Sequence, residues 1–329
     1  MELQRYSMKH LHWLISEIGE PRKSHLASIR LRSAPSILAA KTLRWRVAYG
    51  ENILGSPSIL LIGKIGANSI EARQILWLEQ IRNAKKTAKV FLDYTDHHLG
   101  FNSPMTNFYK AVMNEIDVCV VPSESMANLL SSGWSGPIQV IEDPLEIKNS
   151  PPKLLASKPI TLLWFGHSSN IGSLIKFLAT DFHVGDYIRL IVLSNETGLN
   201  YFTNSNIISN AKIELNLALW SLENMVEAAA ISDVCIIPGD LSDAKKIGVS
   251  SNRLITALAL GLPTAADCLP SYREFQNYYC DLRGVGFREI LRNPLKFSSM
   301  VTEAQVDLSD RFSMAKIQQD WKDLFLKSI

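Results

Sequence analysis

The sequence has few cysteines, no long apolar run and no excess of charge of either sign, and each shortage excludes a class of protein. Its 329 residues include only four cysteines, at positions 119, 235, 268 and 280, which are too scattered for a disulfide framework or a zinc site. No segment approaches the ~18 apolar residues of a membrane-spanning helix, and the opening residues lack an apolar run of signal-peptide length. We therefore expect a cytoplasmic protein without a bound metal.

The net charge is also small, since 34 lysines and arginines face 32 aspartates and glutamates. This balance argues against bulk electrostatic binding of nucleic acid. The charge is nevertheless uneven along the chain, because residues 1–50 contain nine basic and only three acidic side chains. We expect no nucleic-acid partner, and an anionic substrate or a membrane surface near the basic end.

Short apolar runs alternate with longer amphipathic stretches, a pattern typical of βα units and parallel sheets. The predicted strands are 59–65, 89–93, 117–121, 138–141, 160–165, 187–193, 213–219, 233–237 and 263–266. The predicted helices are 68–85, 104–115, 124–132, 171–180, 221–231, 250–260, 271–279 and 309–328, the last with Ser309 or Asp310 as N-cap. Strand 213–219 alternates strictly, so we expect one of its faces to be less buried.

The chain length favours two domains. Tandem prolines within 146–158 predict the linker between them. An internal echo supports two similar domains, because Asp-Val-Cys-Val-Val-Pro at 117–122 returns as Asp-Val-Cys-Ile-Ile-Pro at 233–238. Six residues of buried strand can also coincide by chance.

Ligands of open parallel sheets bind beyond the carboxyl ends of the strands, so the residues that follow each strand matter most. Gly166, His167 and Ser168 follow strand 160–165 and open a helix, although such a loop is common in any α/β protein. After strand 233–237 come Lys245, Lys246, Ser250, Ser251, Asn252 and Arg253. The helix dipole disfavours an arginine in a first helical turn unless an anion is bound there, and a diphosphate would satisfy Arg253.

The run Ser251-Asn252-Arg253, followed by Ala257-Leu258-Ala259 and Gly261-Leu262-Pro263, resembles the donor-binding half of GT-B glycosyltransferases. The segments 122–129 and 27–32 look like the acceptor half of the same enzymes. The resemblance implies two facing Rossmann-like domains of the α/β class, over 1–148 and 149–308. It also implies that a C-terminal helix over 309–329 packs back on the N-terminal domain.

By the same resemblance, the C-terminal domain holds the donor through Gly166, His167, Ser168, Trp220, Lys245, Lys246, Ser250, Ser251, Asn252 and Arg253. Trp220 would stack on the base, although a core tryptophan is the ordinary alternative. Many retaining members carry two glutamates eight positions apart, where this chain has Gly248 and Thr256. That departure puts retaining chemistry and catalytic competence in doubt.

The N-terminal domain offers Asp96 and His97 at a strand end as groups that orient a hydroxyl or act as general base. A capping aspartate with solvated histidines is the alternative, and adjacent histidines are poorly placed to chelate a metal. Gly19, Arg30 and Arg32 would lie on the acceptor side, unless the two arginines only form a charged helix face. An anionic or membrane-linked acceptor would suit them.

The sequence therefore predicts a metal-independent glycosyltransferase that takes its sugar from a nucleotide diphosphate and needs no further cofactor. Two alternatives stay open: a GT-B-shaped binding or partner module that has lost catalysis, and a sugar-nucleotide epimerase. A dinucleotide oxidoreductase is disfavoured, because no Gly-x-Gly-x-x-Gly follows a first strand.

Overall fold

A computed structural model describes residues 8–16, 19–65, 67–99, 103–154, 159–180, 187–205, 212–283 and 286–328. The chain forms two units: an N-terminal unit of Met1–Pro144, Ala244–Ser250 and Phe312–Ile329, and a C-terminal unit of Leu145–Asp243 and Ser251–Arg311. Within the described ranges, no helix combines the length and the apolar character that crossing a bilayer requires.

The N-terminal unit contains one parallel sheet of six strands in the order β2-β1-β3-β4-β5-β6. Its strands are β1 (His10–Leu14), β2 (Arg46–Gly50), β3 (Ile59–Ile62), β4 (Lys89–Asp93), β5 (Val118–Val121) and β6 (Ile138–Val140). Its helices are α1 (Ala27–Thr42), α2 (Ala67–Lys85), α3 (Pro104–Met113), α4 (Glu124–Ser131) and, from the end of the chain, α11 (Met314–Lys327). Strands β1 and β2 and helix α1 were not predicted from the sequence.

The two faces of this sheet bury separate apolar clusters, because successive side chains of a strand point to opposite sides. Trp13 of β1 packs in a cluster with Ile37 of α1 and with Trp321 of α11. Leu14 belongs to the other cluster, with Trp77 of α2. Helices therefore cover both faces, and the last helix is part of this first unit.

Arg32 of α1 lies wholly inside the N-terminal unit. It donates Nε to Asp93 at 2.9 Å and Nη1 to Asp143 at 3.3 Å, and its guanidinium carbon lies 5.4 Å from the centre of the Trp321 ring. Burial alone would lower the pKa of Arg32, but the two carboxylates outweigh burial and raise it. This paired cation joins α1 to the ends of β4 and β6 beneath the last helix.

The C-terminal unit contains a second parallel sheet of six strands, in the order β12-β11-β10-β7-β8-β9. Its strands are β7 (Ile160–Phe165), β8 (Ile188–Ser194), β9 (Ile213–Leu219), β10 (Val234–Ile237), β11 (Thr264–Ala266) and β12 (Cys280–Asp281). Its helices are α5 (Ser168–Thr180), α6 (Glu196–Thr203), α7 (Leu222–Ile231), α8 (Asn252–Ala259), α9 (Gly286–Arg292) and α10 (Pro294–Leu308). Numbered from its own first strand, the sheet has the order 3-2-1-4-5-6 of doubly wound nucleotide-binding folds.

The repeated six-residue sequence forms the same local structure in both units. Asp117 precedes β5 and accepts a hydrogen bond from the N–H of Val90 at 2.8 Å. Asp233 precedes β10 and accepts from the N–H of Thr161, also at 2.8 Å. Each aspartate therefore ties the start of its strand to the neighbouring strand, so the echo reflects a shared structural role.

Two predicted helices are corrected. The segment predicted as helix 271–279 is a 3-10 helix, Pro270–Phe275, with its proline in the first turn. The final helix does not begin at Ser309 or Asp310, because α10 extends to Leu308 and the N-cap of α11 is Ser313, whose hydroxyl accepts from the N–H of Lys316. The prediction for strand 213–219 is confirmed, since β9 is an edge strand with Glu214 and Asn216 exposed.

The side chain of His12 on β1 is fully buried, and neither ring nitrogen has a hydrogen-bond partner of good geometry. Burial lowers the pKa of His12 from 6.5 to about 4, against the opposing effect of the nearby Gly50 backbone. Between pH 6.5 and about pH 4, the unfolded chain therefore binds a proton at His12 more readily than the folded chain does. The free energy of unfolding consequently decreases as the pH is lowered through this window.

Replacing His12 by leucine should remove this acid-dependent loss. Over that pH window we expect wild type to lose about 3 kcal/mol of unfolding free energy relative to His12→Leu. Urea unfolding followed across the window measures the difference, with exposed His25→Leu as the control. Parallel pH curves for wild type and His12→Leu would contradict the assignment.

Candidate functional site

Arg253 lies where the strand order of the C-terminal sheet reverses, between β7 and β10. It belongs to the first turn of α8 and donates Nε to the carbonyl of Phe165, the last residue of β7, at 3.0 Å. Its guanidinium carbon lies 5.2 Å from the centre of the Trp164 ring. A β-carbon on Gly166 would lie only 3.1 Å from that ring and 3.5 Å from the guanidinium carbon. A side chain at position 166 would therefore crowd the Trp164 ring on which the guanidinium lies.

The positive charge of Arg253 is uncompensated among the described residues. Its Nη2 atom is buried and lacks a hydrogen-bond partner, and the ion pairs of the described chain do not include this residue. Burial lowers the pKa of Arg253, although Tyr272 and Cys235 partly oppose this. A partly buried cation without a carboxylate partner is costly.

Polar groups follow the carboxyl ends of the neighbouring strands. After β7, the carbonyl of Gly166 accepts from the Ser194 hydroxyl at 2.8 Å, and the N–H of Ser168 donates to the side chain of Asn195 at 2.8 Å. His167 is exposed. After β9, the main-chain N–H of the half-buried Trp220 donates to the carbonyl of Ser194 at 2.9 Å. One edge of the sheet thus brings together Gly166, His167, Ser168 and Trp220.

The first turn of α8 is polar but carries no carboxylate. Ser251 is the N-cap residue and is buried, and its side chain makes no capping hydrogen bond. Thr256 donates its hydroxyl to the side-chain oxygen of Asn252 at 2.9 Å. The position expected for a glutamate is therefore occupied by a neutral hydroxyl that already bonds to its own helix.

The segment Ala244–Ser250, with the predicted donor residues Lys246 and Ser250, packs within the N-terminal unit. The hydroxyl of Ser123 donates to the carbonyl of Gly248 at 2.9 Å, and a β-carbon on Gly248 would lie 2.7 Å from the side chain of Met126. Glycine is therefore required for this contact. The side chain of Lys245 lies outside the described part of the chain.

Asp96 follows β4 in the N-terminal unit and forms an ion pair with Lys64, with Nζ and Oδ2 2.5 Å apart. Burial raises the pKa of Asp96, but Lys64, His98 and Lys246 outweigh burial and hold it below its ordinary value. A carboxylate in this state is a weak proton acceptor. The geometry favours a role for Asp96 in orienting a hydroxyl over a role as general base.

His97 is buried beside the hydroxyl of Tyr94, which lies 3.3 Å from Nδ1. That hydroxyl accepts from the N–H groups of His98 and Leu99, so its own proton is directed to His97. The neutral imidazole then carries its proton on Nε2. Burial lowers the pKa of His97, which favours the neutral ring.

The predicted acceptor-side residues lie on the connection from β1 to α1 and on α1 itself. Gly19 has a φ of +116°, in the region that favours glycine. Arg30 is largely buried and donates Nη1 to the carbonyl of Ser24 at 2.7 Å. Arg32 is the paired interior cation already described, so solvent does not reach it.

A clamp on the loop after β10 was missed from the sequence. Asp267 follows β11 and accepts from Arg283 Nε at 2.7 Å and from the N–H of Gly239 at 2.8 Å. Arg283 also donates to the carbonyl of Gly239 at 3.2 Å, so both sides of this glycine are held. The position of Asp267 directly after a predicted strand was the available signal. Lys64 was missed because it fell inside the strand predicted over 59–65.

Within the described residues, no group of three or more histidine, cysteine, aspartate or glutamate side chains is arranged to hold a metal ion. The charged groups near the switch point of the C-terminal sheet are instead Arg253 and the Asp267–Arg283 pair.

Two parallel Rossmann-like sheets, with the last helix packed in the first unit, define the GT-B fold, and solved structures agree. HepE from Anabaena, solved in complex with UDP and glucose, is 12% identical to this chain with a TM-score of 0.66. The match covers 98% of this chain and 100% of HepE. Sucrose-phosphate synthase from Thermosynechococcus elongatus is 12% identical with a TM-score of 0.67, and the two chains are covered to 97% and 99%. The predicted fold class is confirmed.

The DNA-modifying enzyme β-glucosyltransferase, studied with and without uridine diphosphoglucose, is 15% identical with a TM-score of 0.54 and coverage of 97% and 99%. This chain spans 54–56% of the longer chains of TarM from S. aureus and of the pneumococcal O-GlcNAc transferase GtfA. No protein-family model and no curated protein matches the sequence. At these identities the likeness establishes the fold.

Substituting Arg283 by alanine should destabilise the C-terminal unit, because the buried carboxylate of Asp267 loses its cation. We expect a loss of about 1–2 kcal/mol in urea unfolding, less than for a fully buried pair because Arg283 is partly exposed. The additional substitution Asp267→Asn should restore part of it. Arg82→Ala, which breaks an exposed ion pair with Glu115, serves as the control. An equally small effect of both arginine substitutions would show that the clamp contributes no stability.

Proposed function

We propose that this chain is a glycosyltransferase that binds a nucleotide-diphosphate sugar at the carboxyl edge of its C-terminal sheet. The observation that carries the proposal is the guanidinium of Arg253 at the switch point of that sheet, which has a buried Nη2 without a hydrogen-bond partner and no carboxylate partner among the described residues. Guanidinium groups bind phosphate oxygens through paired hydrogen bonds. A diphosphate at this position would supply the missing negative charge.

The arrangement of the neighbouring groups supports the same ligand. The N-terminus of α8 after Ser251 offers N–H groups to phosphate oxygens. Trp220, two strands away from β7 at the same edge, offers a partly exposed indole on which a base can stack. Because HepE and β-glucosyltransferase were solved with UDP or its glucose derivative, we propose uridine diphosphate as the first ligand to test.

Catalysis in this proposal is metal-independent and relies on Asp96 and His97. His97 would hydrogen-bond a sugar or acceptor hydroxyl, and Asp96 would orient a second hydroxyl. Protein cations would stabilise the departing diphosphate. A cytoplasmic location, with an anionic or membrane-linked acceptor, belongs to the same proposal.

The second candidate function is a nucleotide-binding module without catalysis. It is favoured by the two positions at which glutamates would be expected. Gly248 has no side chain and is held against α4, and Thr256 bonds to Asn252. The paired Asp96 is also a poor base. Binding of a nucleoside diphosphate alone therefore does not distinguish the two candidates, whereas turnover does.

Replacing Arg253 by methionine should abolish most of the diphosphate affinity without unfolding the protein. We expect a loss of about 1.5–3 kcal/mol in binding free energy, and equal or higher stability of the free protein because an unpaired charge leaves the interior. Calorimetric titration with uridine diphosphate in EDTA, together with thermal unfolding, measures both quantities.

The matched control is Arg189→Met, which changes an arginine at the amino end of the same sheet, paired with Glu214. It should leave the affinity unchanged. If Arg253→Met binds uridine diphosphate normally but unfolds more easily, the arginine is structural and the proposed site is misplaced. An affinity that appears only when Mg²⁺ is added would refute the metal-independent form of the proposal.

Alanine at Asp96 or at His97 should lower donor turnover by ~10²-fold or more, while donor affinity stays near that of wild type. Release of nucleoside diphosphate from a panel of sugar nucleotides measures turnover, and exposed His25→Ala is the control. Wild type that binds donors but never turns them over would favour the binding module.

A further inference from the structure

The end of α1 and the start of β2 bring four cations and one indole to a single surface of the N-terminal unit. These five residues, here called the Trp45 patch, are Lys9, Lys41, Arg44, Trp45 and Arg46. The N–H of Arg44 donates to the carbonyl of Lys41 at 2.9 Å, and that of Arg46 to the carbonyl of Lys9 at 2.9 Å. The Nζ of Lys9 lies 6.0 Å from the centre of the Trp45 ring. Main-chain pairing thus holds the cations together.

The charge of the patch is not compensated by the described residues. All four cations are exposed, and none of the ion pairs in the described part of the chain involves them. On the adjacent α11, Asp320 is already paired with Lys316. The pKa of nearby His10 is lowered by burial and, further, by the positive charge of Arg46.

Two exposed apolar residues directly adjoin, in the sequence, a residue of the patch or a residue that contacts it. Trp45 stacks on Phe325 of α11, with ring centres 5.5 Å apart, and the next residue, Leu326, is 51% exposed. Met8, which precedes Lys9, is 65% exposed. Cations beside an indole and exposed aliphatic side chains are suited to the boundary between lipid headgroups and acyl chains.

Arg44 occupies a position at which glycine is usual. It directly follows the last turn of α1 with a φ of +59°, and it is the single non-glycine residue with positive φ in the described ranges. Glycine is favoured at this place after a helix. The arginine at this position thus adds charge to the patch in a backbone conformation that favours glycine.

We propose that the Trp45 patch docks the protein on a bilayer surface rich in anionic lipid. Anionic headgroups supply the charge that the patch lacks, and the acyl boundary receives Met8 and Leu326. A nucleic-acid partner fits less well, because the net charge of the whole chain is only +2 and exposed aliphatic residues do not contribute to phosphate contacts. The proposal does not depend on the proposed sugar transfer.

The test is co-sedimentation of the full chain with vesicles of phosphatidylcholine alone or mixed with phosphatidylglycerol. Wild type should bind only the anionic vesicles and should be released by high salt. Each cation removed should weaken partitioning about fivefold, so Arg44→Gly/Arg46→Ala should weaken it roughly 25-fold. Arg44→Gly also relieves the positive φ, so a loss of binding by this variant cannot be ascribed to poor folding.

The control Lys86→Ala/Lys110→Ala removes the same charge from the turn after α2 and from α3, and these two helices cover the opposite face of the sheet. This variant should bind as wild type does. Equal binding by the patch variant and the control would overturn the proposal, as would wild type that ignores anionic vesicles. Patch-dependent binding to a DNA duplex with no binding to vesicles would overturn it in favour of a nucleic-acid partner.

Discussion

A guanidinium group removed from water needs negative charge nearby, and this chain meets that need in two different ways. Arg32 is wholly buried and has two carboxylate partners, Asp93 and Asp143. Arg253 has a buried nitrogen without a partner and no carboxylate among the described residues. The charge of the first arginine is compensated within its own unit. We propose that a bound anion compensates the charge of the second.

The parallel sheets explain why the incomplete arginine lies at a strand end. In such a sheet, every strand of one unit ends at the same edge, and helix N-termini converge there. Arg253 is held at this edge because the carbonyl of Phe165 accepts a hydrogen bond from its Nε and because the Trp164 ring lies beneath its guanidinium. The Asp267–Arg283 clamp fixes the loop after β10 beside it. Fold and charge therefore point to the same edge.

The sequence was sufficient for much of this architecture. Apolar runs predicted nine of the strands, and the repeated segment that begins at Asp117 and Asp233 correctly indicated two related units. Strands β1 and β2 were missed because histidine and arginine interrupt their apolar pattern, and β12 because it has only two residues. Helix α1 was hidden by its two buried arginines, Arg30 and Arg32, which the pattern presented as charged and exposed positions.

Individual site residues were harder to predict than the edge on which they lie. Arg253 was predicted from a local conflict, a cation in a first helical turn, and that conflict is visible in sequence. The pairing of Arg32 with Asp93 and of Lys64 with Asp96 joins residues far apart in the chain, and no local pattern reveals it. Whether a charged side chain is engaged or available therefore became visible only in three dimensions.

The most direct test of this account is the NMR signal of the Arg253 side-chain Nε–H during a titration with uridine diphosphate. The account predicts that this signal shifts and that its exchange with water slows as the ligand binds, because the guanidinium acquires an anionic partner. The Nε–H of Arg32, already paired, should stay unchanged and serve as the internal reference. Saturable binding that leaves the Arg253 signal unmoved would contradict the central claim.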